Sequence, residues 1–211
     1  MNVSQILVLA KRPLPGRVKT RLCPPCTPRQ AADIAAAALA DTLDTVSAAR
    51  VDRRILVVDG DHPAPPGWLT LPQRGGPLDE RLANAFADTA TRGAATLLIG
   101  MDTPQITADR LEAAAALLST PDGPDAVLGP AVDGGWWALG LRDADHATVL
   151  RGIVTSTADT GQHTFAALRG HGLRVETLPW LRDVDTADDA RTVAALCPPD
   201  SRFATATAVI G

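Results

Sequence analysis

Lysine is almost missing from this chain. Its 211 residues hold 18 arginines but only two lysines, Lys11 and Lys19, which fall in one short stretch. General surface charge is therefore left to arginine, and the ammonium groups are confined to a single place. Cysteine is also scarce. Cys23, Cys26 and Cys197 form an odd set, which excludes a disulfide framework. No run of 18 apolar residues occurs, so a membrane-spanning helix is not expected. Met1 to Gln5 lead straight toward the first strand without the basic start and apolar core of a secretory leader, and a cytoplasmic protein is expected. Positive charge is not in excess. A formal net charge of -4 and a pI of about 5.5 argue against nucleic acid or a membrane surface as partner, because a polyanion would be attracted at one place only.

That place is Lys11 to Leu22, KRPLPGRVKTRL. Lys11, Arg12, Arg17, Lys19 and Arg21 lie within it, directly after the short apolar run Ile6 to Ala10. A loop leaving the end of the first strand is where α/β proteins bind phosphates, and a concentrated cationic loop attracts an anion. Lysine brings a compact point charge where arginine brings a planar fork, so its restriction to this loop suggests a specific requirement. Pro13 and Pro15 stiffen the loop and Gly16 permits close backbone approach to a ligand. The plainer alternative is a solvated basic loop. The next residues, Cys23-Pro-Pro-Cys26, have C-x-x-C spacing. A zinc site needs about four ligands and the second pair is missing, so loop packing is expected.

The rest of the chain alternates between strand and helix patterns. Thr27-Pro-Arg-Gln30 carries a capping box with proline at the first helical position, opening a long helix to about Ala49. Arg54 to Asp59 and Ala94 to Gly100 are continuous apolar strands of the kind buried in parallel sheets. Between them come a proline-rich loop, a short extended piece at Trp68 to Leu71 that is either strand or loop, and a helix from Leu78 to about Thr91. A helix capped by Thr107 runs to about Leu118. Strands at Ala126 to Leu128 and Trp136 to Leu141 flank a glycine-rich turn. Helices at Ala144 to Leu150, Thr160 to Gly170 and Ala187 to Leu196, with a strand at Leu173 to Thr177, complete the order. One α/β domain over residues 1–197 is expected, with a mainly parallel sheet covered on both faces. Residues 198–211 read as a tail, either disordered or an edge strand added from one subunit to another in a homodimer.

Carboxylates mark the strand ends. Asp102 follows the apolar strand Ala94 to Gly100, and Pro104 delays the next helix, leaving that carboxylate facing the ligand crevice. In Asp183-Val-Asp185-Thr186, alternation puts both carboxylates on one side before Thr186 caps the last helix. Magnesium on a nucleotide takes one or two carboxylates together with phosphate oxygens, so Asp102 with Asp185 and Asp183 would suffice, manganese being the alternative ion. Loop and capping roles are the competing reading for Asp183 and Asp185. Asp133-Gly134-Gly135 reads first as a hairpin turn, although the two glycines would also let backbone close over a ligand beside Trp136. One of Trp136 and Trp137 should face the core and the other away from it. Gln73, Arg74, Gly75 and Arg81 are candidates for a nucleotide-facing wall, with a plain surface position the alternative for Arg81.

Five segments, KRPLPGRVKTRL, QRGGPLDERLANAF, LLIGMDTP, LGPAVDGGWWALGL and LRDVDTADD, run in the order found in the GT-A nucleotide-diphospho-sugar transferase superfamily. The chain most resembles its rSAM/selenodomain-associated transferase 1 branch, which is similar to 2-phospholactate guanylyltransferase. The resemblance implies a Rossmann-like GT-A fold. It implies a nucleotide-phosphate loop holding Lys11, Arg12, Pro15, Gly16, Lys19 and Arg21, a metal ligand at Asp102 with Asp183 or Asp185 as its partner, and an acceptor contact at Asp133 to Trp136. Ser156-Thr157 matches the family pattern only loosely. Three functions follow as expectations. The first is magnesium-dependent nucleotidyl transfer from a nucleoside triphosphate to a small anionic acceptor, with Lys19, Lys11 and Asp102 carrying the chemistry. The second is glycosyl transfer from a nucleotide sugar, and the third is a nucleotide-binding module without turnover.

Overall fold

A computed structural model describes residues 3–210. Met1, Asn2 and Gly211, the start of the expected leader-free segment and the last residue of the expected tail, lie outside the described residues. The strands are β1 (Val3–Lys11), β2 (Arg53–Asp59), β3 (Leu69–Pro72), β4 (Ala94–Gly100), β5 (Ala126–Pro130), β6 (Trp136–Leu141) and β7 (Val175–Thr177). The α-helices are α1 (Pro28–Ala48), α2 (Leu78–Thr89), α3 (Ala108–Ser119), α4 (Thr160–Gly170), α5 (Ala187–Ala194) and α6 (Arg202–Thr207). The seven strands form one sheet in the order β3-β2-β1-β4-β6-β5-β7, and only β6 runs antiparallel to its neighbours.

The apolar runs explain this sheet. Successive side chains of a strand point to opposite faces, so a strand covered on both sides must be apolar throughout. Ile6 and Val8 of β1 join Leu56, Leu97 and Ile99 under Leu39 of α1 and Leu111 of α3. Leu7 joins Ile55, Val57 and Leu98 on the other face, under Phe86 of α2 and Leu168 of α4. The first helix starts as its sequence dictates: Thr27 Oγ1 accepts from the Gln30 amide, and Gln30 Oε1 accepts from the Thr27 amide at 2.8 Å. From β1 the chain moves outward to β2 and β3, then returns to β4 on the other side of β1. That reversal opens a crevice at the carboxyl ends of the strands, where Lys11, Asp59 and Gly100 all end.

Three expectations change. Trp68 to Leu71 resolves as the edge strand β3, which pairs in parallel with β2. Ala144–Leu150 is wound as a 3-10 helix rather than an α-helix. Seven residues offer few i to i+4 bonds, and Asp143 Oδ1 tightens the start by accepting from the Asp145 amide. The C-terminal segment is neither disordered nor a strand. Ser201 Oγ caps α6, Asp41 accepts from the Phe203 amide at 2.8 Å, and Phe203 is fully buried against Leu22, Ile34 and Val193. Cys26 and Cys197 are buried in the same cluster, and all three cysteines are free thiols.

Candidate functional site

The crevice is a cleft of about 670 Å³. On one side it is lined by the ends of β1 and β2 and the start of α2; on the other lie the Asp133–Trp136 turn and the segment before α4. A smaller hollow of about 260 Å³ adjoins it, sharing Lys11, Arg21, Asp102 and Asp185 and adding Lys19.

Lys19 sits in the left-handed region at φ 47°, at the entry to the 3-10 turn Thr20–Leu22. Its ammonium lies 2.8 Å from Asp102 Oδ1 and 3.2 Å from Asp185 Oδ1, with the side chain only 9% exposed. Burial by itself would lower the pKa of this amine; the two carboxylates outweigh it and hold the pKa above its ordinary value. Lys19 is therefore a fixed positive charge. Arg21 reaches the other oxygen of Asp185 at 3.1 Å. Lys11 lines the cleft, and its amide donates to Met101 Sδ at 3.4 Å. Arg12, Pro15 and Gly16 of the same loop do not line the cleft. The Arg12 amide bonds Asp59 O, and its side chain lies toward Gly60 and His62.

The second basic segment divides in the same way. Gln73 lines the cleft, but its amide nitrogen is already bonded to Ala10 O at 2.7 Å, tying the ends of β1 and β2 together. Arg74 turns outward into a two-point pair with Asp88, and Gly75 packs against Glu80 and Asn84. Arg81 does line the cleft, paired with Asp59 at 2.8 Å.

Three carboxylates converge beside the cations, Asp185 being the one that Lys19 and Arg21 reach. Asp133, Asp183 and Asp185 each offer an oxygen, and these oxygens all lie within 4.8 Å of one another. Val184 between the latter two is buried, and its amide donates to Asp102 O at 2.9 Å, which pins the DVDT segment to the exit of β4. Burial, and then the charges of Asp133 and Asp185, push the Asp183 carboxyl up to about 6. A like-charged, partly buried cluster of hard oxygen donors fits a magnesium or manganese ion, whose charge relieves that repulsion. Asp102 stands outside this group, its carboxylate held by Lys19. Asp133 belongs to the group and also makes the turn its sequence suggests, its Oδ1 accepting from the Gly135 amide at 2.8 Å.

The adjoining glycines serve the chain itself. Gly134 lies at φ 90°, and a Cβ there would stand 1.9 Å from Ala158 O; its carbonyl accepts from the Gly161 amide at 2.8 Å. The close approach is thus made by residues 158–161, which Gly134 on one side and Gly161 on the other admit against the turn; of Gly134 and Gly135 only Gly135 lines the cleft. Trp136 lines it as well, its indole bonded to Thr164 Oγ1, whereas Trp137 is buried beneath with its indole on Pro179 O. Sequence reasoning missed Thr155, Ser156, Thr157 and Thr160, which form the wall facing Trp136, and Asp59 on the opposite wall. A hydroxyl-rich run before a helix was the only signal for the first four, and it reads equally well as capping.

Comparison with known proteins agrees with this architecture. Residues 34–157 match the family described as "Uncharacterized protein conserved in bacteria (DUF2064)". The chain is 31% identical over 186 residues to a phosphoenolpyruvate guanylyltransferase of Sphaerobacter thermophilus, covering 85% of this chain and 88% of that protein. Among solved structures it resembles a candidate nucleotide-diphospho-sugar transferase from Desulfovibrio desulfuricans G20, with a TM-score of 0.86 and 28% identity over 100% of this chain and 97% of that one. Rv0371C from Mycobacterium tuberculosis H37Rv, solved with manganese, shares the fold at a TM-score of 0.55 and 21% identity, over 90% of this chain and 97% of that one. The expected GT-A-like fold and transferase character both stand. The chain belongs to the DUF2064 family.

Proposed function

We propose that this protein is a divalent-metal-dependent nucleotidyltransferase that moves a nucleotidyl group from a nucleoside triphosphate to a small anionic acceptor. The observation that carries the proposal is the meeting, in one crevice and its adjoining hollow, of the Asp133, Asp183 and Asp185 carboxylates with the cations Lys11, Lys19 and Arg21, the last two reaching Asp185 directly. The likeness to a phosphoenolpyruvate guanylyltransferase supports it. Asp133, Asp183 and Asp185 would hold magnesium or manganese, and the ion would neutralise charge on the α-phosphate and the departing pyrophosphate. Lys11 and Arg21 bind the outer phosphates. Lys19, anchored by Asp102, keeps a positive charge in place without reorganisation, the property electrostatic catalysis requires. Arg12, Pro15 and Gly16 shape the loop from outside the cleft. The acceptor enters along Trp136 and the hydroxyls of residues 155–160; its oxygen attacks the α-phosphorus, and the bond to the bridging oxygen breaks to release pyrophosphate. Nucleoside triphosphates are metabolites of the cytoplasm, where we place the reaction.

A second reading, glycosyl transfer from a nucleotide sugar, draws on the same wall, because Trp136 with neighbouring hydroxyls also suits a sugar ring. Thermal unfolding separates the two, since a ligand that binds only the native state raises apparent stability. GTP or CTP with magnesium should stabilise the protein more than UDP-glucose or GDP-mannose, and pyrophosphate should appear once an anionic acceptor is added. A larger shift from the sugar nucleotides, with no pyrophosphate from any triphosphate, would overturn nucleotidyl transfer in favour of glycosyl transfer.

A further inference from the structure

The wall of the cleft away from the carboxylate cluster is organised differently. Its floor is apolar, with Leu9, Leu78 and Leu82, and above that floor stands the Asp59–Arg81 pair, 40% and 30% exposed. Arg81 is held from three directions: Nε donates to Gly76 O, and Nη1 donates to Asp59 Oδ2 and, at 3.4 Å, to Gln73 Oε1. Among the described residues, Asp59 Oδ1 and Arg81 Nη2 have no hydrogen-bond partner. The pair, which lines the cleft, therefore keeps one free acceptor and one free donor on side chains already held in position.

Charge decides what can lie there. At the Asp133 end four carboxylates, Asp102 included, outnumber Lys19 and Arg21, and the negative charge left over favours a metal ion, which in turn brings phosphates. At the Asp59 end the single carboxylate is already neutralised by Arg81, so it attracts no metal, and its remaining lone pairs would repel a phosphate. An apolar floor with a polar edge suits a flat, heteroaromatic group instead. In the sheet, β2 and β6 stand three strand spacings apart, about 14 Å, which leaves room between the two ends for a ribose and an α-phosphate.

We infer that Asp59 and Arg81 are the base-selecting residues of the cleft and that the base they select is guanine. This rests on the nucleotidyl-transfer reading and deepens it. Guanine alone among the common bases presents two adjacent donors, N1–H and the 2-amino group, followed by the O6 acceptor. Asp59 accepts from one donor at its free Oδ1 and from the other at the lone pair that Oδ2 keeps beside its Arg81 bond, and the free Arg81 nitrogen donates to O6. Uracil turns an acceptor toward Asp59 in place of the amino group, while adenine and cytosine place a ring acceptor where guanine has N1–H. Each leaves the carboxylate facing a lone pair, the arrangement by which sites reject a ligand.

The test measures affinity by calorimetry with manganese, for GTP, ATP, CTP, UTP and xanthosine triphosphate, against the wild-type protein and Asp59→Asn. Wild type should bind GTP about tenfold or more tightly than the other natural triphosphates. Asp59→Asn should lose that preference and gain affinity for xanthosine triphosphate, whose 2-carbonyl accepts from the new amide. Manganese binding in the absence of nucleotide should be unchanged in the variant, which reports that its fold and carboxylate cluster are intact. If the variant does not fold, the wild-type ranking still decides. Triphosphates binding wild type without base preference, or an Asp59→Asn protein that keeps its preference for GTP, would overturn this assignment alone. Failure of every triphosphate to bind would overturn the nucleotidyl-transfer reading, and the assignment with it.

Discussion

The acidity of Asp183 sets how metal binding should depend on pH. Its carboxyl is raised to about 6 by burial and by the nearby charges of Asp133 and Asp185, against an ordinary value of 3.8. A metal binds the carboxylate and a proton competes with it, so affinity should fall as pH drops through 6. With that pKa, about nine tenths of the Asp183 population is ionised near pH 7 and about one tenth near pH 5, which predicts roughly tenfold weaker manganese binding at the lower pH. A carboxyl at its ordinary value would stay more than about nine tenths ionised over the same interval, and affinity would hardly change. The metal-free protein should respond with the opposite sign. A raised carboxyl pKa gives stability that is complete below the unfolded value of 3.8 and is lost as pH rises through about 6, so added manganese should stabilise the protein most at neutral pH. Manganese titrations at the two pH values, on wild type and on Asp183→Asn, measure this directly. The variant should bind more weakly at pH 7 and lose most of the pH dependence. A wild-type affinity that is flat between pH 5 and 7, or an unaltered pH dependence in Asp183→Asn, would refute the reasoning.

Two further outcomes follow from the geometry. Lys19→Arg keeps the charge but must fit a planar fork into a space that is 9% exposed between two carboxylates, so turnover should fall by about tenfold or more; steady-state kinetics equal to wild type would remove the requirement for a point charge. Gly134→Ala sets a methyl group against Ala158 O at a positive φ, and should lower unfolding stability by about 2–4 kcal/mol in chemical denaturation. An unchanged midpoint would mean that residues 158–161 do not press on the turn as described.

By itself the sequence determined the central strands, the first helix and the place of the cationic loop. β1, β2 and β4 are short apolar runs, and burial on both faces demands that composition whatever the neighbours are; the Thr27 capping box is a contact between residues three apart. Such features are local, and local chemistry is written in consecutive residues. Lys19 could be singled out because lysine is so rare here, but nothing local says that its ammonium rests between Asp102 and Asp185, which are 83 and 166 positions away. The tertiary structure decided the rest. It brought Asp133 from a hairpin turn to Asp183 and Asp185, a convergence invisible to spacing because the turn alone accounts for Asp133. It turned Arg74 outward to Asp88 while directing Arg81, seven residues on, to Asp59 in the cleft. It also folded the last residues into α6, where alternating alanine and threonine carry little periodicity and one phenylalanine, Phe203, supplies the anchor. Each depends on the meeting of segments far apart in the chain, and which distant partner a side chain meets is set by how the strands are ordered and how the layers pack.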